Sequence, residues 1–143
     1  MSIAETSGLF DADELEEVRQ TLAAYLAGSL GDDHRWVVHD AGDPTGVAYF
    51  APEAFGVGVW NLYMLAVLPD QRGTGHGAAL VEHVEAATAA AGARILLIET
   101  SGTPPFERTR TFYDSLGYTA EARIRDYYAP GDDKVIYWKS LAA

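Results

Sequence analysis

The 143-residue sequence contains no cysteine. Structural disulfides, thiolate nucleophiles and cysteine-ligated metals are therefore excluded, and the absence suits a reducing cytoplasm. Basic residues are scarce: 10 Lys and Arg stand against 21 Asp and Glu, a formal net charge of −11. Such a chain repels nucleic-acid phosphates and anionic lipid headgroups at long range, and a cationic small molecule is its more natural visitor. Arg108, Arg110, Arg123 and Arg125 are scattered through acidic sequence and form no basic patch. No apolar run approaches membrane-spanning length, and MSIAETSGLF lacks the basic start and apolar core of a signal peptide. The expected setting is cytoplasmic, with neither nucleic acid nor membrane as partner. His34, His39 and His83 lack ligand-like spacing, so no metal is expected.

What the chain does have is core material. Hydrophobic residues make up 48% and aromatics 11%, enough for a single domain over 1–143. Asp11 and Glu14 resemble a capping box for a helix over 11–28, in which Leu15, Val18, Leu22 and Leu26 recur at helical spacing and Gly28 with Gly31 supplies the stop. Residues 35–40 and 47–50 read as a strand hairpin around the turn cluster AGDPTG. Residues 59–67 form a long strand whose pairing Pro69 ends. A helix follows over 78–91, with Leu80, Val81, Val84 and Ala87 on one face and Gly92 as its stop. The run RILLIET at 94–100 suits a strand covered on both faces in parallel pairing. Thr103 is positioned to cap a helix carrying Phe106, Phe112, Tyr113 and Leu116, and two strands close the chain at 118–128 and 134–139. The order α-β-β-β-α-β-α-β-β predicts an α/β fold with a mixed sheet and helices on its faces.

Between the strand at 59–67 and the next helix lies VLPDQRGTGHG, residues 67–77. A strand, a glycine-rich turn and a helix start make a frame for phosphate, because the first helical N–H groups are unpaired and the dipole there is positive. The same glycines also suit an ordinary turn. A P-loop would need G-x-x-x-x-G-K-[ST], but Ala78 follows Gly77 and no lysine is near. A dinucleotide fingerprint would need G-x-G-x-x-G directly after the strand. Here the third glycine comes one residue early and Pro69 to Arg72 intervene, although Glu99 does end the next strand.

The segment PDQRGTGHG after Leu65-Ala66-Val67 resembles the acyl-coenzyme A loop of the GNAT superfamily of N-acetyltransferases, (Q/R)-x-x-G-x-(G/A), with Arg72, Gly75 and Gly77 at its fixed positions. Downstream, FYDSLGY at 112–118 resembles the family's second signature. The resemblance spans about residues 35–143 and implies a GNAT-like acyl-CoA N-acyltransferase fold with its coenzyme-binding core at 59–118. Two departures stand out. MSIAETSGLF is a poor match for the family's usual first strand, and Phe106 occupies a place often held by a cofactor-contacting asparagine.

The resemblance implies acetyl-CoA as co-substrate. Its pyrophosphate would rest on backbone N–H groups of Arg72, Gly73, Thr74, Gly75, His76, Gly77 and Ala78, with His76 offering only its backbone. The pantetheine arm would run along Leu65, Ala66 and Val67 like an added strand, and an N–H near Leu65 would face the thioester oxygen. Tyr113 is then the general acid for the departing sulfur, and Glu99 the base, directly or through water held by Asn61 and Tyr63. Trp60, Tyr127 and Tyr128 are candidate acceptor-pocket residues, with Glu53, Glu99 and Asp126 lending negative charge. The implied reaction is direct transfer in a ternary complex to a small-molecule or peptide amine, homodimers being frequent in the family. The competing class is a non-catalytic acyl-CoA-binding module, which would not need Tyr113.

Overall fold

The structure is a computed structural model that describes residues 12–26, 34–40, 44–69 and 75–141. Its elements follow the predicted order: α1 (Ala12–Leu26), β1 (Arg35–Asp40), β2 (Pro44–Pro52), β3 (Val59–Val67), α2 (His76–Ala90), β4 (Ile95–Ser101), a 3₁₀ turn (Pro104–Phe106), α3 (Glu107–Ser115), β5 (Thr119–Ala129) and β6 (Asp132–Ser140). The strands form one mixed sheet in the order β1-β2-β3-β4-β6-β5. Only β3 and β4 pair in parallel, as expected for strands joined through α2; the other neighbours are antiparallel.

The predicted apolar face of α2 is the one buried. Leu80, Val81 and Val84 sit at 3% exposure or less and pack with Phe50, Leu62, Leu96 and Ile98. Each such side chain contributes roughly 1.5–3 kcal/mol on leaving water. Thr88, also buried, satisfies its hydroxyl on the Val84 carbonyl at 2.7 Å. Gly92 ends the helix at φ +88°, a left-handed conformation that glycine adopts without a Cβ penalty. Gly46 is required for another reason: a Cβ there would lie 2.7 Å from Leu80 Cδ1 and 3.2 Å from the Ala66 carbonyl, so its absence lets α2 settle on β2.

Three expectations are corrected. In α1, Leu15, Val18 and Leu22 are half-buried, but Leu26 is 75% exposed, because the helix reaches its end there. Thr103 stands at the N-cap of the 3₁₀ turn without a side-chain cap bond; its hydroxyl is engaged with Ser101 Oγ at 2.7 Å. Trp60 belongs to the core against Phe50, on the α2 side of the sheet. The Asp11 cap and the Gly28–Gly31 stop lie outside the described residues.

Strand β3 is irregular in two respects. The β2–β3 register runs Tyr49↔Met64 and then Phe50↔Leu62, which leaves Tyr63 as an extra residue in a β-bulge. The bulge reverses the side-chain alternation. Trp60 and Leu62 face α2 before it, and Leu65 and Val67 join the same core after it. In addition, β3 and β4 pair only from Val59↔Ile95 to Leu62↔Ile98. Past that point the two strands part, while β3 stays bonded to β2 as far as Gly46↔Val67.

Candidate functional site

Where β3 leaves β4, residues 64–67 stay paired with β2 along one edge and have no β4 partner opposite the other. This is the stretch that holds Leu65, Ala66 and Val67. The next helix begins beside it: Gly75 is the N-cap of α2 at φ 88° and, as glycine, brings no capping side chain of its own. The N–H groups of Gly77 and Ala78 therefore lie in the first turn, where helices have donors without internal partners. A Cβ on Gly77 would lie 3.2 Å from Phe112 Cζ, so the helix start packs directly on α3. His76 uses its ring to hold the helix start to β2, with Nδ1 2.9 Å from Thr45 Oγ1. Arg72, Gly73 and Thr74 lie outside the described residues. A shallow depression of about 390 Å³ beside this junction is lined by Glu107, Arg108, Thr111, Phe112 and Ser115.

Tyr113 is 4% exposed and sits among Phe112, Tyr118 and Tyr137, with ring centroids 5.3–6.2 Å away. Burial pushes its phenol well above the ordinary tyrosine range, and Tyr137 adds to the shift. It is a protonated phenol throughout neutral pH. It shares the α2 side of the sheet with Ile98 and Tyr137, which pair across β4 and β6.

Glu99 is on the opposite side, because side chains alternate along β4. Tyr113 and Glu99 therefore lie on opposite faces of the sheet, beside the point where β3 parts from β4. Around Glu99 the structure gathers residues from four strands or strand ends. Asn61, fully buried, donates its amide Nδ2 to Glu99 Oε1 at 3.1 Å and to Glu53 Oε1 at 2.7 Å. Tyr63, on the bulge, donates to the same Glu53 oxygen at 3.1 Å. Burial and the neighbouring Glu53 together raise the Tyr63 phenol far above its usual range. Lys134 places its ammonium 3.1 Å from Glu99 Oε2 and 3.5 Å from the centre of the Tyr127 ring. Burial opposes the charge on Lys134, but Tyr127 and Glu99 outweigh it and hold the pKa above that of a free lysine.

An aromatic run leads away from this cluster across the sheet: Tyr63 to Tyr49 at 5.7 Å, then Tyr49 to Trp36 at 4.9 Å. His34 Nδ1 meets the Tyr49 hydroxyl at the far end. Tyr128 is 43% exposed, packs edge-on against Tyr127 at 5.1 Å, and has the Lys134 ammonium 5.9 Å from its ring centre. Asp126 is engaged locally. At φ 55° it takes the Gly131 N–H on its carboxylate, and its own N–H bonds Asp133. The sequence reading missed the Lys134–Glu99 pair and the link from Glu53 to Asn61. No local pattern carries either, since both depend on which strands become neighbours. Among the described residues no group of three or more His, Asp or Glu side chains is placed to hold a metal, and no helix is long and apolar enough to cross a membrane.

A mixed sheet that opens between two parallel strands beside a glycine-capped helix is the acyl-CoA N-acyltransferase architecture. Residues 31–120 match the family model described as an acetyltransferase (GNAT) domain. A GNAT-family protein from Desulfovibrio desulfuricans is similar over 99% of this chain and 89% of its own, at 31% identity and a TM-score of 0.92. The chain belongs to the GNAT acetyltransferase family and is an acyltransferase. Fold similarity extends to the ribosomal-protein-S18-alanine N-acetyltransferase of Escherichia coli, 21% identical with a TM-score of 0.77 over 99% of this chain and 85% of that one. It extends also to an aminoglycoside 6'-N-acetyltransferase solved with coenzyme A, 19% identical with a TM-score of 0.74 over 98% and 91% of the two chains. A comparison with curated proteins finds no match.

Proposed function

We propose that this acyltransferase moves an acetyl group from acetyl-CoA directly to a primary amine of a small molecule or peptide, both substrates being bound together. The observation that carries the reading is the early end of β3–β4 pairing at Leu62↔Ile98, which leaves Leu65 and Ala66 without a β4 partner beside the glycine N-cap of α2. Open strand edge suits the amides of a pantetheine arm, and the first-turn N–H groups of Gly77 and Ala78 suit a pyrophosphate. The backbone of Arg72, Gly73, Thr74, Gly75 and His76 would complete that cradle. A backbone N–H near Leu65 would stabilise charge on the thioester oxygen.

The two faces then divide the chemistry. The acceptor ammonium loses one proton toward Glu99, directly or through water held by Asn61 and Tyr63. The resulting amine forms the C–N bond as the C–S bond breaks. Tyr113 protonates the leaving sulfur, and the amide nitrogen gives up its remaining excess proton, so one proton is released per turnover. Without cysteine there is no thiol to carry an acyl-enzyme. Tyr128 would border the acceptor entrance, and a chain without cysteine suits a reducing cytoplasm.

The expected result with acetyl-CoA at about 100 times its Kd is stabilisation by roughly 2.7 kcal/mol, read as a rise in melting temperature. An unchanged melting temperature at saturation sinks the assignment. For assembly, we propose a homodimer that forms through β5, one of the sheet's two edge strands, whose residues are exposed throughout. Sedimentation as a monomer at roughly 100-micromolar chain, well above typical dimer dissociation constants, would exclude it.

A further inference from the structure

We infer that Glu85 and Lys139 are positioning residues for the acid step: their ion pair holds Tyr118 and the end of α3, and through them fixes the Tyr113 phenol. This rests on the reading above in which Tyr113 protonates the leaving sulfur. It adds to that step two residues that lie outside both signature segments.

Helix α3 has only nine residues, and Tyr113 stands in its last turn. Helices this short are marginal without tertiary support. Here the support comes at the C-terminal end. The Tyr113 carbonyl receives the N–H groups of Leu116 and Tyr118 at 3.1 and 3.2 Å, and Gly117 makes the turn between them at φ 87°. The Leu116 carbonyl is one of the groups that a helix end leaves without an internal partner. It is taken by the Lys139 ammonium at 3.0 Å. The same ammonium reaches both oxygens of Glu85, at 3.2 and 3.1 Å. Glu85 Oε2 also receives the Tyr118 hydroxyl at 2.9 Å. The junction therefore joins Glu85 of α2, the end of α3, the start of β5 and Lys139 of β6.

Tyr118 connects this junction to the chemistry. It is 4% exposed, its ring lies edge-on to Tyr113 with centroids 6.2 Å apart, and the Lys139 ammonium is 5.1 Å from its ring centre. Both its backbone N–H and its ring engage Tyr113, so a shift of Tyr118 is passed to the neighbouring phenol. Burial and the bond to Glu85 raise the Tyr118 phenol far above its ordinary range. With its proton given to Glu85, Tyr118 does not stand in for Tyr113 as the acid. The ion pair is partly shielded, with side-chain exposures of 30% for Lys139 and 20% for Glu85. A pair at a surface contributes little to stability by itself. This one also closes a helix end, so its main consequence is geometric.

The test is thiol release from acetyl-CoA, with whichever of spermidine, kanamycin A and an alanine-initiated peptide is acetylated fastest. Lys139→Met and Tyr118→Phe are expected to lower kcat about tenfold, with the KM for acetyl-CoA within about twofold of wild type. Lys139→Arg keeps the charge and should recover most of the rate. In a Tyr113→Phe background, Lys139→Met should cost less than about twofold, because the group it positions is already gone. Glu85→Gln, which still accepts from Tyr118, takes its place if Lys139→Met does not fold. A kcat within about twofold of wild type in both single variants overturns the inference, as does an undiminished loss in the Tyr113→Phe background. If Tyr113→Phe turns over like the wild type, the acid reading and the inference fail together. If Tyr113→Phe alone is slow, only the inference fails. A second measurement needs no acceptor. With ring-labelled tyrosine, the NMR signal missing from Tyr113→Phe should shift or broaden in Lys139→Met, and an unchanged signal overturns the positioning role.

Discussion

Replacing Tyr113 with phenylalanine is expected to lower turnover roughly 10²-fold, at the low end of what a positioned general acid contributes. The fold should survive, since the ring contacts with Phe112, Tyr118 and Tyr137 are kept and only a hydroxyl is removed. A loss of no more than about 1 kcal/mol is anticipated. Stabilisation by acetyl-CoA should also persist, because the proposed cradle is backbone. The pH dependence follows from burial. The folded-state pKa of Tyr113 lies above its unfolded value, so the neutral phenol is available below and through the ordinary tyrosine titration near pH 10. In the wild type the alkaline limb should therefore not fall at about pH 10 on account of this group. By the same sign, the stability contributed by buried neutral Tyr113 and Tyr118 is intact below about pH 10 and lost as pH climbs beyond it. Steady-state rates of the variant between about pH 6 and about pH 10 decide the matter. Turnover within twofold of wild type across that span removes Tyr113 from the reaction.

Lys134→Ala should cause the largest loss of stability among single changes at the site, about 3 kcal/mol, or roughly 10 °C in melting temperature for a domain of this size. The pair is well shielded, with side-chain exposures of 8% for Lys134 and 22% for Glu99. Solvent screening is correspondingly weak, and removing the ammonium leaves two carboxylates facing each other across one amide. Replacing both partners, as Lys134→Met with Glu99→Gln, should recover at least half of the loss, because the unpaired charge disappears with its partner. Urea or thermal melts of the two variants and the wild type measure this. A single variant that melts within about 1 °C of wild type would show that the ion pair adds nothing to the fold.

These side chains differ in how readable they were from the chain alone. Leu80, Val81 and Val84 announce their burial by helical spacing, and Gly92 and Gly117 end their helices at positive φ as glycines there should. Local sequence determines such features, so local reading finds them. The glycine loop and FYDSLGY pointed to the family for a similar reason: each carries its signature within a few consecutive residues. The Glu99 cluster behaves differently. In β3 the sequence VWNLYMLAV is apolar nearly throughout, so it carries no phase that separates one face from the other. Trp60 looked as available to an acceptor as Asn61, and only the pairing with β2 puts the tryptophan in the core. Lys134 would pass for an ordinary surface lysine. Its burial depends on β6 lying next to β4, a neighbour separated from it by an entire helix and strand. Glu53 became interpretable only once its loop was seen to return it to Asn61 and Tyr63.

The bulge at Tyr63 also has an evolutionary reading. Because it resets the phase of β3, the two halves differ: Asn61 in the first joins Glu53 and Glu99, and the second runs along β2 after parting from β4. Each half keeps its own alternation, although both send side chains into the same core. A natural junction for recombining this domain with a relative therefore falls at Tyr63, inside a strand rather than in a loop.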